Sequence, residues 1–273
     1  MTATVQGFDD PRALASLVPR TGKLLLVTDK DGTLDPFVSD PNAAFVPEQT
    51  RGVLSALNKI KNTRVAVVSG RSLEQLEALM GRDPSISYVG MHGSQCYNGD
   101  TKTEENLVST DTARALASVE KTIRELLEPI NAIDVNEVLE LKNPGVCLHW
   151  RRCPEQQEFL TNLMQFAIGR LTAEEQSAIR AQPGNMVVEV KATRTKADAL
   201  SDLVIQHSPD FVVCIGDDLT DIHMMRSATE NLGHQASLNV IVGADIVLDG
   251  AKRIKSPKET LAFFQSILAA RQI

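Results

Sequence analysis

Leu24-Leu25-Leu26-Val27-Thr28-Asp29-Lys30-Asp31-Gly32-Thr33 is the stretch from which the chain can be read. A run of branched apolar residues reads as a strand buried on both faces. It stops at two carboxylates one residue apart and then at a glycine. In an open α/β sheet, ligands bind in the crevice beyond the carboxyl ends of the strands. Two aspartates at such a place repel each other unless a cation lies between them. Oxygen donors at a tight turn suit Mg²⁺, which takes one or two carboxylates and leaves room for a phosphate. Taken alone, the stretch also fits a solvated Asp-Gly turn at a strand end.

The segments on either side repeat the pattern. Val53, Leu54, Leu57 and Ile60 recur at helical spacing, and 64–70 (Arg64-Val65-Ala66-Val67-Val68-Ser69-Gly70) is a second buried strand. Ser72 with Gln75 predicts a capping box for a helix carrying Leu73, Leu76 and Met80. Strand, helix, strand, helix is the signature of parallel βα units. After Gly90-Met91-His92-Gly93 the rhythm changes. Asn98-Gly99 predicts a two-residue hairpin, a helix is expected over 111–127, and strands over 138–142 and 146–150 flank Asn143-Pro144-Gly145. Pro154 opens another helix, Thr172 and Glu175 cap a shorter one, and 186–191 reads as a strand. The parallel rhythm resumes with a helix at Leu200, Leu203 and Val204, a strand over 211–215, and short strands over 240–242 and 246–248. The expected fold class is therefore α/β: a Rossmann-like core with a parallel sheet from residues 1–100 and 191–273, plus an inserted α+β domain over 101–190.

Composition narrows the functional classes. The 273 residues are 42% hydrophobic and 23% charged, ordinary for a soluble domain. A net charge of −7 argues against nucleic acid as a partner. No apolar run reaches the length of a membrane span, and residues 1–10 lack a basic-then-apolar signal pattern, so no membrane is expected. The four cysteines form no CxxC pair, which speaks against zinc or a disulfide framework and for a cytoplasmic location.

Four loops of the parallel part carry chemistry: Asp29/Asp31, Ser69, Lys196 and Asp217/Asp218/Asp221. A carboxylate nucleophile that takes a phosphoryl group needs a cation to offset the phosphate charge. It also needs a second carboxyl group to protonate the leaving oxygen and then activate water. A hydroxyl and an ammonium should hold the phosphoryl oxygens. Each demand has one candidate.

The order and spacing of these motifs resembles the haloacid dehalogenase superfamily of phosphotransferases. More narrowly, Ser69-Gly70-Arg71-Ser72, Gly90-Met91-His92-Gly93, Val188-Glu189-Val190-Lys191 and Gly216-Asp217-Asp218-Leu219-Thr220-Asp221 match the pattern of the trehalose-6-phosphate phosphatase family. The resemblance implies that Asp29 is the nucleophile, Asp31 the general acid and base, and Ser69 and Lys196 the phosphate-side partners. It implies a Mg²⁺ held by Asp29, the main-chain carbonyl of Asp31, and Asp217, with Asp218 and Asp221 orienting the ligands and Lys196. The inserted segment resembles the family's cap, which closes over the sugar. Its recognition residues fall on Glu140, Lys142, Arg151 and Glu189; carboxylates can accept sugar hydroxyls, and the basic side chains can reach the phosphate. Arg71 and His92 sit in two of the matching motifs and join the substrate-binding candidates, with bracing of a loop as the other role for His92.

The implied activity is Mg²⁺-dependent hydrolysis of trehalose 6-phosphate, in trehalose biosynthesis, with a trehalose-phosphate synthase as a conceivable partner. A phosphatase of another glycosyl phosphate, such as a mannosyl- or glucosyl-phosphoglycerate, is the nearest rival. A catalytically silent sugar-phosphate-binding subunit is a rival of another class. Three positions depart from the family pattern: Ala197 follows Lys196, Ile222-His223 follows Asp221, and Lys30 stands where the family is usually apolar. On a continuing strand the Lys30 side chain should point away from both Asp29 and Asp31. Glu140, Lys142 and Glu189 also fit a solvated sheet face.

Overall fold

The computed structural model describes residues 7–38, 40–130, 133–142 and 144–272. In chain order the first part carries α1 (Pro11–Ala15), β1 (Leu24–Thr28), α2 (Glu48–Lys59), β2 (Thr63–Val68), α3 (Leu73–Met80), β3 (Ser87–Gly90), β4 (Gln95–Asn98) and β5 (Thr103–Asn106). The middle part carries α4 (Thr110–Leu127), α5 (Val135–Val138), β6 (Leu139–Lys142), β7 (Gly145–His149), α6 (Gln157–Gly169), α7 (Ala173–Ser177), β8 (Ile179–Gly184) and β9 (Val187–Ala192). The last part carries α8 (Lys196–His207), β10 (Phe211–Gly216), α9 (Leu219–Leu232), β11 (Ser237–Val242), β12 (Lys252–Ile254) and α10 (Pro257–Arg271).

Two compact units result: Met1–Asn106 with Thr195–Ile273, and Leu107–Arg194. The first unit holds an eight-stranded sheet in the order β12-β11-β10-β1-β2-β3-β4-β5. Strands β12 to β3 pair in parallel, whereas β3-β4 and β4-β5 are antiparallel. Because β1 lies between β10 and β2, every one of its residues is buried. Leu24 and Leu26 pack into the core on one face, with Leu54, Leu57, Phe263 and Phe264. Leu25 and Val27 pack into the other, with Leu200, Leu203, Met224 and Met225. That is why the strand reads as an unbroken apolar run: a parallel strand covered by helices on both faces has no polar side.

The second unit has an antiparallel sheet, β6-β7-β9-β8. Leu139, Val146, Leu148, Val188 and Val190 bury one of its faces with Val119, Ile123, Leu160 and Met164 from the helices. Helix α4 begins on a Ser109 cap, whose Oγ accepts from Thr112 N at 3.1 Å. Thr172 and Glu175 form the expected capping box of α7.

Four details of the sequence reading change. The insertion begins at 107 rather than 101, because β5 remains in the core sheet, and it ends at 194 rather than 190. Residues 246–248 are not a strand; β12 at Lys252–Ile254 pairs with β11 instead. A three-residue link is too short for a parallel crossover. The Asn98-Gly99 turn is longer than two residues: Asn98 Oδ1 accepts from Asp100 N at 2.9 Å and Thr101 N at 3.2 Å before β5 starts. Strand β8 was not expected, because Arg180 and Gln182 leave it polar and its outer edge has no partner strand to impose a pattern. Asn143 of the turn between β6 and β7 lies outside the described residues.

Candidate active site

The site builds outward from the carboxyl end of β1. Asp29 follows the last strand residue, and its N–H donates to Ile215 O of the neighbouring β10 at 2.9 Å. By alternation its side chain takes the face of Leu25 and Val27, the face covered by α8 and α9. Lys196, the first residue of α8 and only 2% exposed, donates from Nζ to Asp29 Oδ1 at 2.7 Å and to Asp221 Oδ1 at 2.7 Å. Asp221 sits in the first turn of α9, and its Oδ2 accepts from Asp217 N at 3.0 Å and Asp218 N at 3.1 Å. Asp218 caps the same helix, accepting from Thr220 N and Asp221 N at 2.7 and 3.0 Å. A carboxylate at a helix N-terminus is favoured by the unpaired amides there.

Two glycines let these loops meet. Gly32 has a φ of +78°, and a Cβ on it would collide with the Asp217 carboxylate. A Cβ on Gly216 would collide with the carboxyl group of Asp221. Thr33 Oγ1 then donates to Asp217 Oδ1 at 3.2 Å, tying the first acidic loop to the last. Carboxylate oxygens of Asp29, Asp217 and Asp221 all lie within 4.8 Å of one another.

The electrostatics of this cluster favour a cation. Burial, with repulsion from the other carboxylates, pushes Asp29 up to about 6, Asp217 up to about 7 and Asp221 up to about 7. Burial works against the charge of Lys196, but Asp29 and Asp221 outweigh it and hold the ammonium firmly protonated. One ammonium thus faces three clustered carboxylates. An all-oxygen donor set of this kind, with negative charge in excess, fits Mg²⁺. Asp221 already receives three hydrogen bonds, which leaves Asp29 and Asp217 as the carboxylates of the cluster suited to hold an ion. Asp221 instead holds Lys196 and the Asp217 loop in place.

Asp31 is not part of that cluster. Arg71 grips its carboxylate at both ends, Nε to Oδ2 at 2.6 Å and Nη2 to Oδ1 at 2.8 Å. Lys30 Nζ reaches Oδ1 at 3.0 Å. Burial alone would raise the Asp31 carboxyl, but the Arg71 and Lys30 hydrogen bonds and charges outweigh it and hold it below the usual carboxylate range. Lys30 therefore does not point away from Asp31, as strand alternation predicted. The strand ends at Thr28, and the amides of Thr33, Leu34 and Asp35 fold back onto Lys30 O, which ends the alternation. Sequence reasoning also missed Asp35, which accepts from Lys30 Nζ at 3.0 and 3.1 Å. A carboxylate five residues after a buried lysine, across a glycine turn, was the available signal.

Ser69 is buried at the end of β2, where its Oγ accepts from Arg71 N at 3.3 Å. His92, at a φ of +54°, donates its N–H to Ser69 O at 3.0 Å. A Cβ at Gly70 would come within 2.7 Å of the His92 ring, so imidazole and glycine pack together and brace the serine loop.

Glu140, Lys142 and Glu189 lie on the second unit's sheet, on the face opposite its apolar core. Glu140 and Glu189 both pair with Cys147 in the ladder, which puts them on one face. Glu140 Oε2 stands 2.6 Å from His149 Nε2. Glu189 lies between two ammonium groups, Lys142 Nζ at 3.8 Å and Lys191 Nζ at 3.9 Å. Burial pushes the Cys147 thiol between them up to about 12, so it is neutral. His149 and Lys191 were not among the binding candidates, although their place on this face follows from the period of two along β7 and β9. Arg151 is exposed just past β7.

The trehalose-phosphatase family model matches residues 27–257. The chain belongs to the trehalose-phosphatase family. It is 31% identical over 207 residues to the "Probable trehalose-phosphate phosphatase" of Sinorhizobium fredii, covering 74% of this chain and 72% of that one. It is 28% identical over 207 residues to the UDP-forming alpha,alpha-trehalose-phosphate synthase B of Dictyostelium discoideum, covering 73% of this chain but only 25% of the longer protein. The fold matches the trehalose-6-phosphate phosphatase of Aspergillus fumigatus with a TM-score of 0.73 at 24% identity, over 97% of this chain and 99% of the other. The fold is also similar to that of a haloacid dehalogenase-like hydrolase from Bacteroides thetaiotaomicron, with a TM-score of 0.55 at 15% identity over 89% of this chain and 98% of the other. Among the described residues no helix is long and apolar enough to cross a membrane.

Proposed function

We propose that the chain hydrolyses trehalose 6-phosphate to trehalose and phosphate through a phosphoryl group carried on Asp29. The observation that carries this reading is the buried Asp29 carboxylate, held 2.7 Å from Lys196 beside Asp217. A carboxylate so placed is a nucleophile with its charge partners already assembled. Its oxygen attacks phosphorus and the bond from phosphorus to the sugar oxygen breaks. Asp31 delivers the proton to that oxygen. It then takes a proton from the water that attacks the phosphoryl group, and the bond to Asp29 breaks to release phosphate. Mg²⁺, held by Asp29 and Asp217, would neutralise phosphate charge when bound. Family membership and the Sinorhizobium relative support the choice of substrate.

At rest Asp31 is a carboxylate locked by Arg71. An arriving phosphoryl group offers Arg71 a more highly charged bidentate partner. Once Arg71 moves to it, the larger part of the hydrogen bonding that depresses the Asp31 carboxyl is removed, while burial continues to favour the acid. Ser69 donates to another phosphoryl oxygen. Glu140 and Glu189 accept from sugar hydroxyls while Lys142 and Arg151 reach the phosphate, and the polar sheet face that Glu140, Lys142 and Glu189 share supports that role. A binding subunit without chemistry would have no use for the Asp29, Asp31, Lys196 and Asp217 set, which counts against the silent reading. The Dictyostelium relative, named as a synthase, supports a synthase partner. None of the four cysteines is joined in a disulfide, which supports a reducing cytoplasm.

Phosphate release over a panel of sugar phosphates with Mg²⁺ tests the reading. Trehalose 6-phosphate should have the highest kcat/KM by at least about tenfold. A higher value for a glycosyl phosphoglycerate would replace the substrate, and no turnover on any member would overturn the enzyme reading.

A further inference from the structure

Lys30 is fully buried, with no exposed area, and lies between the two aspartates of the first motif. Its ammonium has three protons and spends them all. Nζ donates to Asp31 Oδ1 at 3.0 Å, to the Asp35 carboxylate at 3.0 and 3.1 Å, and to Ala44 O at 2.7 Å. Asp35 is itself only 1% exposed, so the Lys30–Asp35 pair is closed to water and to exchange of partners. Arg71, on the loop before α3, is a different kind of partner. Its side chain keeps 15% of its exposure and ends at Asp31, with no second carboxylate bonded to it among the described residues.

We infer that Lys30 is a positioning residue for Asp31: it holds Oδ1 from the buried side while Arg71 exchanges Asp31 for the phosphoryl group. When Arg71 releases both oxygens, Oδ1 stays held by Lys30, so Oδ2 is the oxygen left free to carry the proton to and from the reacting centre. Asp35 compensates the Lys30 charge, so the hydrogen bond fixes geometry without leaving an uncompensated cation against the acid. An apolar residue at position 30 would leave Asp31 with only the partner that must depart. Misplacing a proton donor by about an ångström can cost on the order of 10²-fold in rate. The inference rests on the acid and base role of Asp31 given above.

The test compares Lys30→Met, Asp31→Asn and the parent on two substrates, trehalose 6-phosphate and 4-nitrophenyl phosphate, whose phenolate leaves without a proton. Lys30→Met should lower kcat/KM, which reports formation of the phosphoenzyme, by roughly 10- to 100-fold on the sugar phosphate and by less than about threefold on the aryl phosphate, whereas hydrolysis of the phosphoenzyme, which uses Asp31 as base on either substrate, should slow alike on both. Removing Lys30 strands the Asp35 carboxylate in the core, so Lys30→Met/Asp35→Leu is made alongside, with thermal melting of both. The double variant should show the same selectivity for the leaving group. Equal losses of kcat/KM on both substrates, or none on either, in a variant that melts cooperatively overturn the inference. If Asp31→Asn is selective and Lys30→Met is not, the fault lies with Lys30. If Asp31→Asn itself shows no selectivity, the acid role fails, and the inference with it.

Discussion

Lys196 and Asp29 are 167 positions apart in the chain and joined by a 2.7 Å hydrogen bond in the core. The same ammonium spans to Asp221, so one buried cation organises both acidic loops. Removing one member of a buried ion network leaves the others uncompensated and typically costs about 3–5 kcal/mol. Lys196→Met should therefore lose activity and also lower the urea midpoint markedly, more than Asp29→Asn does. A variant as stable as the parent would mean that water or a cation already compensates the carboxylates.

Asp29→Asn keeps the size of the side chain and removes the nucleophile. Phosphate release should fall to background, the radiolabelled phosphoenzyme seen by rapid quench should vanish, and thermal melting should remain cooperative. Activity in excess chelator, or turnover by the asparagine variant, would contradict the proposed chemistry.

The pH dependence of stability carries a sign. Burial, then the charges of Asp221 and Asp218, raise the Asp217 carboxyl from 3.8 to about 7. Between those values the folded protein binds a proton that the unfolded chain has released, so this group lowers stability as pH rises from about 4 to about 7. In chelator, Asp217→Asn should become progressively more stable than the parent over that interval, with the two converging below about pH 4. Added Mg²⁺ should stabilise the parent near pH 7.5 and leave the variant nearly unmoved. Urea melts across pH, with and without the metal, measure both effects.

Gly32→Ala tests the meeting of the two loops. The position needs a φ of +78°, and a Cβ there would strike the Asp217 carboxylate. A strained backbone of this kind costs on the order of 1–3 kcal/mol, and the displaced Asp217 should weaken the apparent Mg²⁺ affinity in activity titrations. An unchanged Mg²⁺ dependence would separate the turn from the metal ligands.

The cap candidates divide by substrate. Leaving a partner group unpaired costs about 1–3 kcal/mol. Glu140→Ala or Glu189→Ala should thus lower kcat/KM for trehalose 6-phosphate by roughly 10- to 100-fold while changing the aryl phosphate rate little. For Glu140, the partner left behind is His149, 2.6 Å away. Equal losses on both substrates would assign these glutamates to folding, and no loss on either would make them a solvated sheet face.

Much of this protein is written locally in its sequence. The run 24–28, the boxed caps at Ser72 and Thr172, and the acidic Gly216–Asp221 loop each depend on neighbours within a few residues, so their periodicity and spacing could be read directly. The order of the motifs was enough to point to the trehalose-phosphatase family, to which the chain belongs, and to nominate Asp29, Asp31, Ser69, Lys196 and Asp217. Pairing was another matter. Whether Asp31 or Asp221 would join Asp29 and Asp217 was decided by which loop folded back, because Gly32 and Gly216 admit a close approach that linear spacing does not encode. Strand alternation sent Lys30 away from Asp31. The turn after Thr28 brought it back, because alternation holds only while the backbone stays extended. The polar edge strand β8 had no pattern to find, since a strand with one neighbour is specified by pairing with β9 rather than by its own side chains. Sequence determined which chemical groups the chain carries to the carboxyl ends of its strands; tertiary contacts, through buried charge and close backbone approach, decided which of those groups hold one another.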